Sequence, residues 1–297
     1  MSASTGTFAP RSGRLTAYLT LTKPEITFNV VMTALVGFLA ASREGGGAVH
    51  VRLLLDTLLG TALVAAAASA LNQWVERDLD AVMHRTVRRP LPAGRLTPEE
   101  SLVFAVAVGA VGTVCLALLA TPLASILAAA TALSYLLVYT PLKRLTSLST
   151  VVGAVPGALP PMIGWAAARG RLDAGAWVLF LILFFWQMPH FLALAALYRR
   201  DYARAGFRVL PVVDPDGAST ARQSVLYTLA LLLVSLMPTF LGMAGRLYFF
   251  GALALGLAFT FYGVRLALAP QDHVQASRLF RASLLYLPAL CVLMALG

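Results

Sequence analysis

Long apolar runs separated by short polar segments dominate this chain. A helix needs roughly 20 residues to cross about 30 Å of hydrocarbon, and the runs approach that length. The third and fourth are divided only by Thr121 and Pro122, where a proline beside a polar residue favours a hairpin; without that break there would be eight spans. The pattern predicts an all-α, polytopic membrane bundle with nine spans at about 26–42, 53–71, 101–120, 122–140, 149–168, 176–197, 225–243, 247–268 and 279–296.

The polar segments are distributed unevenly between the two ends of these spans. The longest are at about 72–100 and 198–224, and both follow even-numbered spans. Nothing outside the apolar runs resembles a soluble domain. We therefore expect one intramembrane domain over 1–297, with 1–22 as a cytoplasmic tail, and we look for function in the two long loops.

Composition agrees with a bilayer as the solvent of this protein. Residues of the hydrophobic class make up 59% of the chain and charged residues only 12%, against roughly 25% charged in soluble domains. The net charge of +10 is explained by membrane topology and anionic lipid, so it does not indicate nucleic-acid binding. Cys115 and Cys291 fall within apolar runs, which predicts packing rather than a disulfide or a cysteine metal site.

The basic residues indicate the orientation, because lysine and arginine near span ends are retained on the cytoplasmic side. With the N-terminus inside and the C-terminus outside, the outer segments hold only five: Arg43, Arg52, Arg169, Arg171 and Arg246. The inner segments hold the other eighteen: Arg11, Arg14, Lys23, Arg77, Arg85, Arg88, Arg89, Arg95, Lys143, Arg144, Arg199, Arg200, Arg204, Arg208, Arg222, Arg265, Arg278 and Arg281. We expect a multi-pass protein of the cell (inner) membrane; the acid-free segment 1–22 also leaves an organelle presequence open.

Asn72, Glu76 and Asp80 stand four residues apart at the end of the second span. If helix continues there, the three lie on one face, while Asp78 points away. Amide and carboxylate oxygens of this kind suit Mg²⁺ that also carries water and phosphate oxygens. The alternative is a solvated, charged helix end that holds no metal.

Arginines follow this acidic segment at once. Arg85, Arg88 and Arg89 share its loop, and guanidinium groups bind phosphate oxygens bidentately. Metal together with arginine is a way to hold and activate a diphosphate leaving group. Lys143 and Arg144 could also reach a diphosphate, although a basic pair at a span end is equally explained by topology.

Motifs over about 15–225 resemble the UbiA superfamily of intramembrane prenyltransferases, and most of all its protohaem IX farnesyltransferase (haem O synthase) branch. The first resembles the superfamily's aspartate-rich motif: Asn72-x3-Glu76-x3-Asp80, then Met83-His84-Arg85-Thr86-x2-Arg89-Pro90-Leu91. The others are Leu21-Thr22-Lys23-Pro24-Glu25, Tyr139-Thr140-Pro141-Leu142-Lys143-Arg144, Pro156 to Trp165, Trp186-Gln187-Met188-Pro189-His190-Phe191, Asp201-Tyr202-x2-Ala205-Gly206 and Leu210-Pro211-Val212-Val213.

This resemblance implies an activity and its substrates. A farnesyl group would pass from farnesyl diphosphate to the vinyl group of haem B, with addition of water, to give haem O. Mg²⁺ would be the cofactor, held by Asn72, Glu76, Asp80 and Asp201. Arg85 and Arg89 would act in catalysis, and handover of haem to a haem-modifying enzyme or terminal oxidase is plausible.

The second loop departs from the superfamily pattern, because it offers Asp201 without a full second aspartate-rich cluster. Asp201 could instead pair with neighbouring arginines. Glu76 stands where many members have Asp. The resemblance places Tyr202 with Arg88, Lys143, Arg144 and Asp201 among the residues that bind substrate.

His190 is an ionisable residue within the sixth span, which makes it a functional candidate. Its imidazole could contact haem, ligate haem iron or handle a proton. The alternative is a histidine bonded to a backbone carbonyl that Pro189 leaves free. Two other functions stay open: a UbiA-type enzyme for an aromatic or quinone precursor, and a haem transporter or handling protein without chemistry.

Overall fold

The computed structural model describes residues 11–296, which are mainly helical; the longest connection between helices covers 81–97. Nine helical segments within this range are long and apolar enough to cross a membrane, as the hydrophobic pattern predicts. They are Pro24–Glu44, Val51–Val75, Pro98–Ala120, Pro122–Leu145, Ser149–Arg169, Ala174–Leu197, Ala218–Phe240, Arg246–Leu268 and His273–Leu296.

Several of these segments are made of shorter helical pieces, and π-helical turns lie within the third and fourth segments. In chain order the α-helices are α1 Arg11–Leu21, α2 Pro24–Glu44, α3 Val51–Val75, α4 Arg77–Asp80, α5 Pro98–Cys115, α6 Pro122–Leu133, α7 Thr140–Leu145, α8 Ser149–Ala158, α9 Pro160–Arg169, α10 Ala174–Leu197, α11 Arg199–Arg204, α12 Leu210–Val213, α13 Ala218–Phe240, α14 Arg246–Leu268 and α15 His273–Leu296.

The hairpin between the third and fourth spans turns at Thr121 and Pro122, as predicted. Thr121 has an extended backbone, and its hydroxyl accepts a hydrogen bond from the Ala124 amide at 3.2 Å. Pro122 occupies the first helical turn, where its missing N–H leaves no internal hydrogen bond unmade. Both features are local to the sequence, which explains why the pattern predicted this break; the Thr121 hydroxyl also donates to the Ala166 carbonyl of the fifth span at 3.1 Å.

Part of the expected N-terminal tail is an ordered helix. Residues 1–10 of that tail lie outside the described residues, whereas 11–21 form α1. Ala17 and Leu21 are fully buried in a small core that also contains Ala70 and Leu96. The apolar side of α1 thus packs against the end of α3 and the loop before α5.

The spans pack so that the last returns to the first. Helix α2 contacts α3 and α9, and α15 contacts α10, α14 and α2. Close approach of α2 and α9 depends on glycine: a Cβ built on Gly37 would lie 2.0 Å from the Pro161 carbonyl oxygen. Helix α3 also contacts the fourth span, and near its carboxyl end Asn72 donates a hydrogen bond to Thr140 of that span.

The two long polar loops meet at one end of the bundle. Met83 from the first loop and Phe207 from the second are buried in one cluster with Ala205, and Leu79 and Tyr202 pack against it. This contact brings the acidic segment next to the residues that follow α10. The two polar loops, which carry most of the candidate functional residues, therefore form one continuous surface.

Candidate active site

The three polar residues spaced by four come together in a buried group. Asn72 lies in the last turn of α3, and Glu76 and Asp80 follow the helix. All three residues are nearly inaccessible to solvent. The helix ends at Val75, yet the Glu76 amide donates to the Asn72 carbonyl at 2.9 Å and the Asp80 amide to the Glu76 carbonyl at 2.8 Å. Helical spacing is therefore preserved through the break, and one face carries all three side chains.

Each carboxylate in this group is paired with a cation. Arg89 donates from one Nη1 to both oxygens of Asp80, at 2.8 and 2.6 Å. Lys143, from the fourth span, donates to Glu76 Oε1 at 2.8 Å. The acidic and basic residues, which the sequence analysis treated as separate candidates, thus form one cluster.

Asn72 connects the members of this cluster. Its amide nitrogen donates to Glu76 Oε2 at 3.0 Å and to the Thr140 hydroxyl at 3.3 Å. Its oxygen accepts a hydrogen bond from Lys23 Nζ at 3.2 Å. Asn72 is therefore held by Glu76, one turn further along the chain, and by two residues that are distant in sequence, Lys23 and Thr140.

Lys23 and Thr140 stand in two of the motifs quoted from the sequence, but the sequence reasoning did not assign them to the site. Within residues 11–296, Lys23 is the non-glycine residue with a positive φ, at 47°, a conformation that L-residues adopt at an energetic cost. Lys23 is the last residue of the connection from α1 to α2, and its amine points toward Asn72. A lysine directly before Pro24 at the start of a span was the available signal.

Burial and neighbouring charge alter the acid–base properties of this cluster. Burial, together with the positive charges of Arg89 and Lys143, lowers the pKa of Lys23 to about 7. Burial also raises the pKa of Asp80, while the Arg89 guanidinium opposes that rise. The site is thus a compact, poorly hydrated group of opposite charges, where electrostatic interactions are stronger than in water.

Aromatic rings surround the lysine of the fourth span. Lys143 Nζ lies 4.6 Å from the centre of the Tyr139 ring and 5.8 Å from that of Phe207. Its backbone carbonyl accepts a hydrogen bond from the Arg208 amide at 2.7 Å. The second polar loop therefore covers the cluster with an aromatic side chain and fixes the turn that carries Lys143.

The remaining arginine candidates lie at the edge of the cluster or outside it. Arg85 is placed over the rings of Tyr198 and Tyr202 and donates to the Tyr202 hydroxyl at 3.3 Å. Arg88 and Arg144 are exposed. Arg89 and Lys143 are therefore the predicted basic residues that the fold brings to the acids.

Asp201 is paired with an arginine of its own helix rather than with the acids. Its Oδ1 lies 3.6 Å from Arg204 Nη1. Across residues 11–296, no group of three or more Asp, Glu, His or Cys side chains could hold a metal. Asp201 is thus not part of a preformed ligand set with Glu76 and Asp80.

The chemistry of the buried group nevertheless fits a magnesium ion that the substrate helps to bind. Asn72, Glu76 and Asp80 present oxygen atoms from one face, and Mg²⁺ is commonly bound by one or two carboxylates, water and substrate phosphate. The side chain of Asp80 is only 1% exposed. Such a carboxylate needs a cation partner, which Arg89 provides in this structure.

His190 lies in a separate aromatic site between α10 and α15. Its ring is stacked on Trp186, with centroids 5.0 Å apart, and lies 4.9 Å from Phe280. Its Nδ1 is 2.7 Å from the Ser283 hydroxyl, which donates its one proton to the Phe280 carbonyl at 2.6 Å. In the neutral ring Nδ1 must then be the donor, so Nε2 carries the lone pair.

Comparison with known proteins identifies the family and similar folds. The model of the UbiA prenyltransferase family matches residues 30–285. A protein of Solibacter usitatus named protoheme IX farnesyltransferase is 50% identical over 285 residues, which cover 94% of this chain and 97% of that protein. A protein of the same name from Salinibacter ruber is 46% identical, with 93% and 96% covered.

Solved structures share the fold at low sequence identity. A digeranylgeranylglyceryl phosphate synthase is 17% identical with a TM-score of 0.80, over 96% of this chain and 98% of that one. A UbiA homologue from Archaeoglobus fulgidus, bound to DMAPP and Mg²⁺, is 16% identical with a TM-score of 0.65, over 94% and 99%. On the family match and these near full-length relatives, the chain belongs to the UbiA prenyltransferase family.

Proposed function

We propose that this protein transfers a farnesyl group from farnesyl diphosphate to a vinyl group of haem B and adds water, giving haem O and free diphosphate. The relatives named protoheme IX farnesyltransferase support the choice of substrates. The observation that carries the chemistry is the buried cluster in which Arg89 and Lys143 pair with Asp80 and Glu76. Acidic and basic groups at one point are what a metal-bound diphosphate requires.

We assign Mg²⁺ binding to Asn72, Glu76 and Asp80. When bound, the ion would supply positive charge that stabilises the departing diphosphate. The UbiA homologue solved with DMAPP and Mg²⁺ supports this assignment by its fold. Asp201 stays a prediction as a further ligand, which would require its pairing with Arg204 to open.

The basic residues of the cluster have two tasks in this proposal. Their ion pairs hold the carboxylates of Glu76 and Asp80 in place, and their other N–H groups are free to donate to diphosphate oxygens. Arg89 uses Nη1 for both of its bonds to Asp80, so Nη2 and Nε face no competing acid among the described contacts. Lys23, directly before α2, adds a third basic group.

Bond changes follow from this placement. The bond between farnesyl C1 and the diphosphate oxygen breaks, and its electron pair leaves with the diphosphate. The π electrons of the vinyl group form a bond from its terminal carbon to C1. The other vinyl carbon, now the haem-side cation, takes up water, and one proton is released. The aromatic rings beside Lys143 suit the allylic cation-like carbon, and the apolar bundle limits its hydrolysis.

We assign haem contact to His190. Its Nε2 lone pair, together with the flat aromatic surroundings, fits a porphyrin face and its iron. Support comes from the hydrogen bond that orients the ring, since such partners fix the tautomer of a metal-binding histidine. His190→Ala should weaken haem binding, whereas unchanged haem titration and turnover would assign His190 to packing.

Product analysis tests the proposed function directly. Membranes that contain the protein, given haem B, farnesyl diphosphate and Mg²⁺, should form a tetrapyrrole with the added mass of one farnesyl group and one hydroxyl group, because the proton from the added water is released. Omitting Mg²⁺ should stop product formation. A product from 4-hydroxybenzoate instead of haem, or haem binding without diphosphate release, would overturn the proposal.

The membrane placement belongs to the same proposal. We infer the cell (inner) membrane, with the N-terminus and the acid–base cluster on the cytoplasmic side and the C-terminus outside. The excess of inner arginines supports this orientation. Handover of haem O to a haem-modifying enzyme or terminal oxidase stays a prediction.

A further inference from the structure

A groove runs along the outer side of the last two helices. It has a volume of about 560 Å³ and lies between α14 and α15. Its walls are apolar and aromatic, formed by Leu255, Ala258, Phe259, Leu285 and Tyr286. Since both helices are candidate membrane spans, this groove is suited to a hydrocarbon chain.

Arginines are concentrated at one end of the groove. Arg278 and Arg281 line it, and Arg278 also lines an adjoining hollow of about 350 Å³ together with Arg265. None of the three has an ion pair with an acidic residue within residues 11–296. Arg281 Nε donates only to the carbonyl of Ser277 on its own helix, at 3.4 Å. This end therefore carries three positive charges that the described chain does not neutralise.

The oxygen of a buried amide in the same hollow also lacks a hydrogen-bond donor. Gln275 is 8% exposed, and its Oε1 accepts no hydrogen bond from the described residues. Its Nε2 donates to Asp272 Oδ2 at 3.3 Å, which fixes the orientation of the amide. A buried acceptor without a donor is unfavourable, so a ligand with a hydroxyl group would stabilise this position.

We propose that this groove is a binding site for an anionic glycerophospholipid whose headgroup carries hydroxyls, as in phosphatidylglycerol. The phosphodiester binds Arg278 and Arg281 through charge-assisted hydrogen bonds. A headgroup hydroxyl donates to Gln275 Oε1. One acyl chain lies along the apolar groove.

The position of the groove favours a lipid over a substrate of the proposed reaction. Asn72, Glu76 and Asp80 lie on and just after α3, whereas the groove is formed by α14 and α15. On α15, Ser283 and Phe280 face His190, so that helix separates the histidine from the groove. The site is therefore distinct from the proposed active site and accessible to the bilayer.

Native mass spectrometry of the full-length protein in detergent tests this proposal. The protein is titrated with dioleoyl phosphatidylglycerol, dioleoyl phosphatidylcholine and inorganic phosphate. The wild type should retain phosphatidylglycerol best and should hold inorganic phosphate weakly. Arg278→Gln should weaken phosphatidylglycerol binding about tenfold, because a charge-assisted hydrogen bond is lost.

Two further variants separate a built site from general attraction of charge. Arg246→Gln removes an exposed arginine from the opposite end of α14 and should bind as the wild type does. Ala258→Trp keeps every arginine but fills the apolar groove, so it should bind as weakly as Arg278→Gln. Equal loss in Arg246→Gln, normal binding by Ala258→Trp, or equal retention of phosphatidylcholine would overturn the proposal.

Discussion

At the scale of single residues, two aspartates separated by one position have opposite surroundings. The side chain of Asp78 is 87% exposed, whereas that of Asp80 is buried against Arg89. We expect Asp80→Asn to lower the rate of prenyl transfer by about 100-fold or more, because removing a preorganised group that stabilises developing charge typically slows a reaction by this factor. Asp78→Asn removes the same charge from the surface and should keep normal turnover. Steady-state product formation measures both variants.

Buried charge makes the folding control necessary for this comparison. Removing the Asp80 charge leaves the Arg89 guanidinium without its partner, which is itself destabilising. Size-exclusion profiles in detergent should therefore be recorded for both variants. A monodisperse Asp80→Asn protein with wild-type turnover would remove Asp80 from the proposed metal site.

Lys23 should link diphosphate binding to pH. Its pKa is lowered to about 7, so just above neutral pH much of the free protein carries an uncharged amine. A bound diphosphate would favour the ammonium form and raise this pKa, so binding takes up a proton. Affinity should be greatest below pH 7 and should fall by up to about tenfold per unit as pH rises above 7.

Calorimetry can measure this proton uptake. A non-reactive thio-analogue of farnesyl diphosphate is titrated at pH 7.5 in two buffers that differ in their enthalpy of protonation. Lys23→Arg retains the positive charge at all these pH values, so it should bind with a flatter pH dependence. Identical proton uptake in both proteins would assign the linkage to the diphosphate itself.

At the scale of elements, the contact between α2 and α9 depends on backbone proximity. A Cβ built on Gly164 would lie 1.9 Å from the Ala34 carbonyl oxygen, where no flexible side chain can give way. Gly164→Ala should therefore separate the helices and destabilise the bundle by about 1–3 kcal/mol, the usual range for overpacking. Thermal unfolding in detergent measures the loss.

The matched control for this contact is a glycine with free space. A Cβ on Gly47 would meet nothing within 4 Å, and this residue lies in the connection between α2 and α3. Gly47→Ala should unfold at the wild-type temperature. If both variants melt like the wild type, close packing of α2 on α9 does not limit stability.

At the scale of the whole molecule, the orientation in the membrane can be measured with introduced thiols. In a Cys115→Ser/Cys291→Ser background, Gly47→Cys should react with a membrane-impermeant maleimide in intact cells. Ala93→Cys is exposed in the first polar loop and should react only after the membrane is opened. The reverse labelling pattern would contradict a cytoplasmic cluster.

Much of the fold followed from local pattern. Nine spans were predicted and nine are found within residues 11–296, because apolar length and proline position are properties of neighbouring residues. Boundaries were less accurate: the seventh span was predicted at 225–243 and runs over Ala218–Phe240. Its first turns contain polar residues that hydropathy assigns to the loop, while tertiary packing buries Thr220 and Ser224 there.

The candidate site, too, was predicted from the sequence only in part. Residues four apart share a face only where helical spacing continues, so the spacing of Asn72, Glu76 and Asp80 predicted their grouping on that condition. The backbone hydrogen bonds of Glu76 and Asp80 meet the condition. Arg89 follows in the same loop. The sequence by itself thus determined a membrane bundle, the position of its polar loops and the acids that form one group.

Only the tertiary structure decided which distant residues complete the site. Lys23 and Thr140 contact Asn72 because α2 and the fourth span pack beside α3, and sequence spacing carries no information on such contacts. The packing of α10 against α15 likewise paired His190 with Ser283. The pairing of Asp201 with Arg204, by contrast, is local, because the two residues lie three apart on one helix. Pairing of buried charges and rings depends on how helices cross, which is set by the packing of the whole bundle rather than by any one segment.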